Sequence, residues 1–273
     1  MCEVIKDETY LVIIVLYKCK LHESVAFRSI YNPECKNISY YIYDNSPAKD
    51  EDALNNKNIK YVWDCNNGGV SKAYNQGAQY AASNQFDWII LLDQDTEFRG
   101  SEYLQKIEKY HGLYPEINLF APLVKTESSI ISPYPASHLG DFDHGIKTLD
   151  KLFLINCGIC IRLDLFISVG GYEDTLYLDF ADNLFIEKLR DYINKWYLID
   201  ITFKQNFSNN IYEFDKLWNR FKIYVDCLKI YRKRSKRKSI SLYIEGLKHA
   251  MGLSLRMVNF HFLRYYISNM PII

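Results

Sequence analysis

Residues 87–96 read DWIILLDQDT, a short apolar run that ends in two aspartates one residue apart. Residues 10–17, YLVIIVLY, have the same continuous apolar character and are rich in β-branched side chains. Such runs are typical of strands that are covered on both faces of a parallel sheet. We therefore predict two central strands, with Asp93 and Asp95 at the carboxyl end of one of them.

Strand-like and helix-like segments alternate around these two runs. ISYYIYD ends at Asp44, KYVW covers 60–63, and the pattern predicts a helix from Val70 to Ser83. The second half adds the strand-like segments NLFAPLV and LFLINCGICI, a helix from Asp182 to Asn194 and a short strand around Trp196 to Ile199. This order predicts an α/β fold with a doubly wound, mostly parallel central sheet that is flanked by helices.

Polar residues follow three of the predicted strands directly. They are Asp44-Asn45-Ser46, Asn66-Asn67-Gly68-Gly69 and Asp93-Gln94-Asp95-Thr96. In open α/β sheets, ligands bind in the crevice outside the carboxyl ends of the strands. We therefore expect these three turns to meet at one functional site.

Asp93 and Asp95 are the strongest candidates for chemistry in the sequence. Two carboxylates separated by one residue can approach the same cation, and Mg²⁺ or Mn²⁺ prefers carboxylate oxygen while keeping positions for phosphate oxygen. Such a metal would neutralise charge on a departing diphosphate. The alternative is that both aspartates only form an Asx turn or cap the next helix.

Length and composition favour one folded catalytic body. The chain has 273 residues, of which 48% are hydrophobic, so it can bury a large core and disorder is excluded. No apolar run reaches the roughly 18 residues that a membrane-spanning helix needs. The seven cysteines are scattered and no signal peptide precedes the first strand, so we expect a cytoplasmic protein. Cys157 and Cys160 form a CxxC without further ligands, so a structural zinc is not expected.

The formal net charge is zero, but the charges are unevenly distributed. Residues 229–273 contain ten Lys or Arg and one acid, whereas residues 1–228 carry nine more acids than bases. We predict a catalytic domain over 1–215 and a basic helical extension over 216–273. The extension could lie on an anionic membrane surface, pack on the catalytic body, or form a homodimer. No nucleic-acid module accompanies it, so nucleic acid is not expected as a partner.

The ordered set of motifs supports a family assignment. The succession IVLYK, IYDNS, NNGGVSKAYNQG and DWIILLDQDT resembles the amino-terminal half of family 2 glycosyltransferases of the GT-A fold. It is especially similar to bacterial rhamnosyltransferase-like enzymes of surface polysaccharide synthesis. The later segment NCGICIRLDLFISVGGYEDTLYLDFADNLFIEKLR resembles the acceptor-side block, so the resemblance covers roughly residues 10 to 205. Each piece is weak alone, whereas the ordered set is specific.

The resemblance implies a set of donor and metal residues. Asp44 would read the nucleobase, and Asn67, Gly69, Lys72 and Asn75 would lie along the nucleotide-sugar. In the DXD motif Asp93-Gln94-Asp95, Asp95 would contact the metal most directly, and Asp93 and Gln94 would lie nearer the donor. Gly68 and Gly69 allow close approach of the backbone, and a lysine near a helix start offers charge to a diphosphate. The alternative is a plain glycine-rich turn with a solvated lysine.

On the acceptor side, the resemblance implies a catalytic base. An inverting transfer needs a group that removes the proton of the attacking hydroxyl, and Asp182 has the family's spacing to Lys188. Asp179 is the reserve candidate, and the alternative for Asp182 is a helix N-cap. Gly170-Gly171-Tyr172 resembles the loop beneath the acceptor, and Asn156-Cys157-Gly158 would form the floor near the donor sugar.

Two positions depart from the family pattern. Many relatives have a histidine ligand after the last core strand, whereas this chain offers Gln205 or Asn206 there. An amide oxygen binds a hard cation more weakly than a charged ligand, so metal affinity is expected to be low. Lys18 replaces the family's asparagine after the first strand.

The resemblance implies an inverting hexosyltransferase of bacterial surface polysaccharide synthesis, peripheral on the inner face of the plasma membrane. Its donor would be dTDP-rhamnose or a UDP-hexose, and its acceptor a saccharide or a polyprenyl-linked saccharide. An inactive membrane-associated nucleotide-sugar-binding or scaffold protein remains the alternative because of the missing histidine. A sugar nucleotidyltransferase is disfavoured, since VLYKCKLHE lacks the Gly-rich basic loop of such enzymes.

Overall fold

A central sheet with helices on both faces forms the body of the protein. The computed structural model describes residues 8–127, 129–135, 143–205 and 213–271. The first half supplies four parallel strands, in the spatial order β3-β2-β1-β4. They are β1 (Tyr10–Leu16), β2 (Ile38–Asp44), β3 (Ile59–Trp63) and β4 (Trp88–Asp93), with helices α1 (Val25–Ile30) and α2 (Gly69–Ser83) between them and a 3-10 turn at Leu21–Glu23.

The second half continues the sheet with mixed pairing. β9 runs antiparallel to both β4 and β6, and β10 is parallel to β6. The strands are β5 (Thr96–Glu97), β6 (Leu119–Lys125), β7 (Ile130–Ser132), β8 (Gly145–Thr148), β9 (Ile159–Arg162) and β10 (Lys195–Gln205), and the helices are α3 (Gly100–Leu113), α4 (Leu163–Ser168) and α5 (Ala181–Leu189). The predicted α/β class, a central sheet flanked by helices, is confirmed.

One predicted strand is shorter than expected. LFLINCGICI was expected to be a single strand, but only its end enters the sheet, as β9. Gly158 has a φ of +83°, and a Cβ there would lie 2.5 Å from Phe203, so the chain turns tightly at this glycine. The residues before the turn are therefore free to reach the carboxyl end of β4.

The sheet is buried on both faces, as the apolar runs predict. Alternate residues of a strand point to opposite faces, and β1 divides accordingly. Leu11 and Ile13 belong to the core on the side of α2, α4 and α5, whereas Val12 and Ile14 belong to the core on the side of α1 and α3. All seven residues of β1 are buried, which explains why its sequence is continuously apolar rather than alternating.

The predicted helical extension packs on the body. It consists of α6 (Phe214–Arg234), α7 (Ser239–Arg256) and α8 (His261–Asn269), so its first helix begins just before the predicted boundary. Val225 and Leu228 of α6 and Phe262 of α8 join the same apolar core as Phe185 of α5. Among the described residues, no helix is long and apolar enough to cross a membrane.

Several cations of the basic cluster pair with acids of the same chain. Arg234 lies 3.2 Å from Glu173, Lys236 lies 2.5 Å from Asp191, and Arg237 pairs with Glu245. Glu173 and Asp191 belong to the body. The acidic body is therefore itself an anionic partner of the basic cluster.

Candidate active site

A cavity of about 450 Å³ opens where the parallel strands end. It is lined by residues at the ends of β1, β4 and β10, by the residue that follows β2, and by the start of α2. The segment before α5, Asp182 of α5 and two residues of α6 also line the cavity, as do the loop residues Asn67, Asp95 and Asn156. The cavity therefore lies at the carboxyl ends of β1 and β4, where the sequence places the functional site.

Asp93 is surrounded by hydrogen-bond donors at the end of β4. The Tyr74 hydroxyl lies 3.0 Å and the Asn156 amide nitrogen 3.3 Å from its Oδ1, and the Gln205 amide nitrogen lies 3.3 Å from its Oδ2. Burial and the nearby charge of Asp95 raise the pKa of Asp93 to about 6, although these donors favour the carboxylate. A carboxylate that lacks solvation and faces a second one is stabilised by a bound cation.

Asp95 and Gln205 adjoin Asp93 in the cavity lining. Burial raises the pKa of Asp95, against the opposing effect of the Gln205 side chain. Gln205 is only 5% exposed, and its Oε1 has no hydrogen-bond partner within the described structure. A buried carbonyl oxygen without a hydrogen-bond donor lowers the stability of the fold, so this atom is a candidate to bind a ligand. Asn206, the other replacement for the family histidine, lies outside the described residues.

The donor set fits a hard divalent cation in an open site. Two carboxylates and one amide oxygen are the oxygen ligands that Mg²⁺ and Mn²⁺ prefer, and these ions commonly complete their coordination with water and phosphate oxygens. No group of three or more His, Cys, Asp or Glu side chains forms a metal cage in the described parts of the chain.

Asp182 and Asp179, the two predicted base candidates, line the same cavity but have different surroundings. Burial, together with the charges of Asp93 and Asp179, raises the pKa of Asp182 to about 7. Asp179 instead accepts two hydrogen bonds from Arg220, one of them 2.6 Å long. Asp182 is therefore the carboxylate suited to proton transfer near neutral pH, and Asp179 is held in an ion pair.

Gly69 lies where the turn after β3 meets the wall of the cavity. Its φ is +86°, and a Cβ would lie 2.3 Å from the carbonyl oxygen of Tyr177, so the position admits only glycine. Val70 donates its backbone N–H to the same oxygen at 3.0 Å. Asn67, with a φ of +50°, and Gly69 both line the cavity, as the resemblance implies for donor residues.

Three predicted donor residues have other partners and do not line the cavity. Asp44 is 1% exposed and accepts hydrogen bonds from the Tyr61 hydroxyl and the Ser46 backbone. Lys72 lies 2.7 Å from Asp64, and Asn75 binds both backbone polar groups of Tyr172 at 2.9 Å. In this structure Lys72 and Asn75 brace the turns around the cavity.

Gln94 lines the cavity and fixes its rim. Its side chain accepts a hydrogen bond from the backbone N–H of Tyr17 at 2.7 Å and donates one to the Tyr17 carbonyl at 3.2 Å. Both polar ends of the amide are therefore occupied, which joins the loop after β4 to the loop after β1. Gln94 shapes the entrance through these contacts.

Several residues of the site were not singled out by the sequence analysis. Tyr74 and Asp64 hold Asp93 and Lys72, respectively, while Arg220 and Tyr177 line the cavity directly. Arg220 lies in a helix that composition marks only as amphipathic, and its partner is 41 residues away in sequence. No short motif marks such a pair, whereas Tyr74 lies within the NNGGVSKAYNQG segment and was overlooked there.

Comparisons with known proteins agree with this fold. The family described as glycosyl transferase family 2 matches residues 12–160, more than half of the chain. No curated protein resembles the chain closely enough in sequence to be counted as a relative. Solved structures do resemble the chain, but at 13–15% sequence identity the resemblance concerns the fold alone.

Several structures of S. aureus TarS are similar to this chain. TarS 1-349 in complex with UDP-GlcNAc superposes with a TM-score of 0.57 at 14% identity, covering 93% of this chain and 72% of that one. A second TarS structure gives a TM-score of 0.55 at 14% identity, and the match covers 93% of this chain but only 43% of that one.

A third structure is GalNAc-T7 with UDP, GalNAc and Mn²⁺. It gives a TM-score of 0.52 at 15% identity, covering 73% of this chain and 44% of that one. With the profile match over β1 to β9, these likenesses confirm the expected GT-A architecture. The chain belongs to glycosyl transferase family 2.

Proposed function

We propose that the protein is an inverting glycosyltransferase that moves a sugar from a nucleoside-diphosphate sugar to an acceptor hydroxyl. The observation that carries this proposal is one cavity lined by Asp93, Asp95 and Gln205 and also by Asp182. The first three offer oxygen ligands, and the fourth has a pKa of about 7. A leaving-group site and a base in one cavity are the two parts that an inverting transfer needs.

Asp95, Asp93 and Gln205 would hold a Mn²⁺ or Mg²⁺ ion, which when bound neutralises charge on the diphosphate. Asn156 and Tyr74 orient Asp93 by hydrogen bonds. The glycine turn at Gly69 brings backbone close to the donor. Asp182 accepts the proton of the acceptor hydroxyl, which raises the nucleophilicity of the attacking oxygen.

We favour dTDP-rhamnose as the donor because of the resemblance to rhamnosyltransferase-like enzymes, with a UDP-hexose as the second candidate. Two similar solved structures are complexes with UDP-GlcNAc and with UDP and GalNAc, which supports testing UDP donors. The acceptor is expected to be a saccharide or a polyprenyl-linked saccharide of a bacterial surface polysaccharide. Discrimination among donors rests on a few pocket contacts.

The decisive experiment measures hydrolysis and transfer over a panel of nucleotide sugars with Mn²⁺. Asp95→Asn and Asp182→Asn should each lower turnover at least a hundredfold, the usual scale for loss of a catalytic group. Asp226→Asn, an exposed aspartate of α6, is the matched control and should keep full turnover. Undiminished turnover in Asp95→Asn would contradict the proposed metal site. If the wild-type protein binds a nucleotide sugar but turns over none of the panel, the inactive binding protein is favoured.

We also propose that α7 lies on an anionic membrane surface. Its outward row consists of Ile240, Ile244, Met251 and Leu255, which are 44–63% exposed. Lys248 is exposed in the same row. An apolar row with a lysine suits the interface of a membrane that contains anionic lipid. This location would bring the cavity near a lipid-linked acceptor.

Sedimentation with phosphatidylglycerol and phosphatidylcholine vesicles tests the membrane proposal. Met251→Ser/Leu255→Ser and Lys248→Gln should each reduce binding to the anionic vesicles, whereas Leu113→Ser, at an exposed leucine of α3, should not. Point variants are needed because removing residues 229–273 would also remove buried Tyr231, Leu242 and Phe262. If the vesicles do not bind and the same variants dissociate a dimer, the row is a protein interface and the membrane proposal is wrong.

A further inference from the structure

The segment of residues 176–180, here called the base-flanking segment, connects the two sides of the cavity. It ends directly before α5, whose second residue is Asp182. At its start, the Ser71 hydroxyl donates to the Leu176 carbonyl at 2.6 Å. The backbone N–H of Val70 donates to the Tyr177 carbonyl at 3.0 Å. The segment is thus bonded to the glycine turn on the donor side.

Helix α6 holds the other end of this segment. Arg220 grips Asp179 with two parallel hydrogen bonds, the geometry in which a guanidinium fixes a carboxylate most firmly. Phe180 stacks on Tyr231, with ring centroids 5.0 Å apart, and contacts Tyr224 at 5.3 Å. All three contacting residues belong to α6. Two consecutive residues before α5 are therefore clamped by one helix of the carboxyl-terminal extension.

Phe180 adopts a conformation that requires such support. Its φ is +64° and its ψ is 3°, in the left-handed region that bulky side chains rarely enter. Backbone in this region persists only where the surrounding structure enforces it. Because Phe180 is also the N-cap residue of α5, its conformation sets the direction in which α5 leaves the segment. The position of Asp182, two residues later, depends on that direction.

We infer that Arg220 of α6 is a positioning residue for the base. Through Asp179 and Phe180, α6 fixes the start of α5 and so the location of Asp182 relative to the donor turn. This inference rests on the proposed role of Asp182. It assigns to the carboxyl-terminal extension a task in the reaction itself, in addition to any task at a membrane.

Steady-state kinetics of the full-length protein with its best donor test the inference. Arg220→Met should lower kcat at least tenfold, while the dissociation constant of the nucleoside diphosphate in Mn²⁺ changes less than threefold. Arg220→Lys keeps the charge but not the two-pronged grip, so it should recover only part of kcat. Lys216→Met, which breaks an exposed ion pair in the first turn of α6, is the matched control and should retain kcat. Thermal melting confirms that each variant is folded.

A double-variant cycle separates positioning from direct contact with substrate. If Arg220 acts through Asp179, then Asp179→Asn/Arg220→Met should be no slower than the slower single variant. If the two losses multiply, or if Arg220→Met weakens binding of the nucleoside diphosphate tenfold, Arg220 contacts substrate and the inference is wrong. Unchanged kcat in Arg220→Met overturns it as well. Full turnover in Asp182→Asn instead defeats the proposed function, so the two failures are distinguishable.

Discussion

The carboxyl groups in and around the cavity have pKa values that are shifted in opposite directions from their ordinary values. Burial raises the pKa of Asp93 and Asp182 to about 6 and about 7. Burial also opposes ionisation of Asp64, but hydrogen bonds from Lys72 and Tyr43 outweigh it and lower the pKa of Asp64 to about 2. Asp64 thus stabilises the fold as an anion, whereas the two cavity carboxylates are kept at a cost to stability.

Asp182→Asn should stabilise the metal-free protein. The carboxyl group has a higher pKa folded than unfolded, so wild-type stability falls as pH rises from about 4, the unfolded pKa, to about 7, the folded pKa. Asparagine cannot ionise and removes this loss, which for a shift of about three pKa units is on the order of 4 kcal/mol at pH 8. Urea unfolding at pH 5 and pH 8 in EDTA measures it. A larger gain at pH 5 than at pH 8, or an equal gain in Asp226→Asn, would contradict the argument.

Which residues meet at the cavity was partly predictable from the sequence. Asp93, Asp95 and Asn67 could be placed because they lie at the carboxyl end of a strand or within a few residues of one, and parallel strands end at the same edge of the sheet. Lys72 and Asn75 have side chains that reach distant partners, Asp64 and Tyr172. Such choices depend on which acceptor the tertiary fold brings close, and local sequence does not contain that information.

The turn between β3 and α2 is the element on which the cavity wall depends most closely. Gly69 provides a backbone conformation and a lack of bulk that no other residue combines. Its neighbours Val70 and Ser71 bond to the base-flanking segment. A change at Gly69 should therefore affect both stability and donor binding.

Gly69→Ala should lower the free energy of unfolding by about 1–3 kcal/mol and weaken nucleoside diphosphate binding. The added Cβ would lie 2.3 Å from a backbone oxygen, so the turn has to move. Gly112→Ala in α3 is the control, because a Cβ there meets nothing within 4 Å and alanine favours a helix by up to about 1 kcal/mol. Urea unfolding and calorimetric titration measure the two effects. Equal responses of the two variants would contradict the steric argument.

The strands were predictable to different degrees, for a physical reason. β1 and β4 are buried on both faces, so their sequences are continuously apolar and stand out. β8 has no buried residue and carries no such signal, and it joins the sheet only through pairing with β10. The segment before β9 looks equally apolar but is interrupted by the turn at Gly158. A continuous apolar run therefore indicates burial on two faces, and it does not by itself indicate a strand.

Glu187 connects the body to the carboxyl-terminal extension. It lies in α5, is 5% exposed, and accepts hydrogen bonds from the Tyr231 hydroxyl, the Ser235 hydroxyl and the Lys236 backbone. The carboxylate thus binds the end of α6 and the turn that follows it. Because of this contact and the shared apolar core, we expect the body and the extension to unfold as one unit.

Glu187→Ala should lower the free energy of unfolding by roughly 2–4 kcal/mol, because the buried Tyr231 hydroxyl and two partly buried hydrogen bonds lose their acceptor. Glu245→Ala, which removes a half-exposed partner of Arg237, should change it by less than about 1 kcal/mol. Urea titrations followed by tryptophan fluorescence and circular dichroism should show a single coincident transition. Two separate transitions in the wild type would show that the extension unfolds on its own.

The clamp of α6 on the base-flanking segment has a consequence for protein engineering. One way to test acceptor preference is to graft the carboxyl-terminal part of one enzyme onto the amino-terminal part of another. Here a crossover between β10 and α6 would pair Asp179 and Phe180 with a foreign helix. We therefore expect a functional chimera to need residues 176–180 and α6 from the same parent.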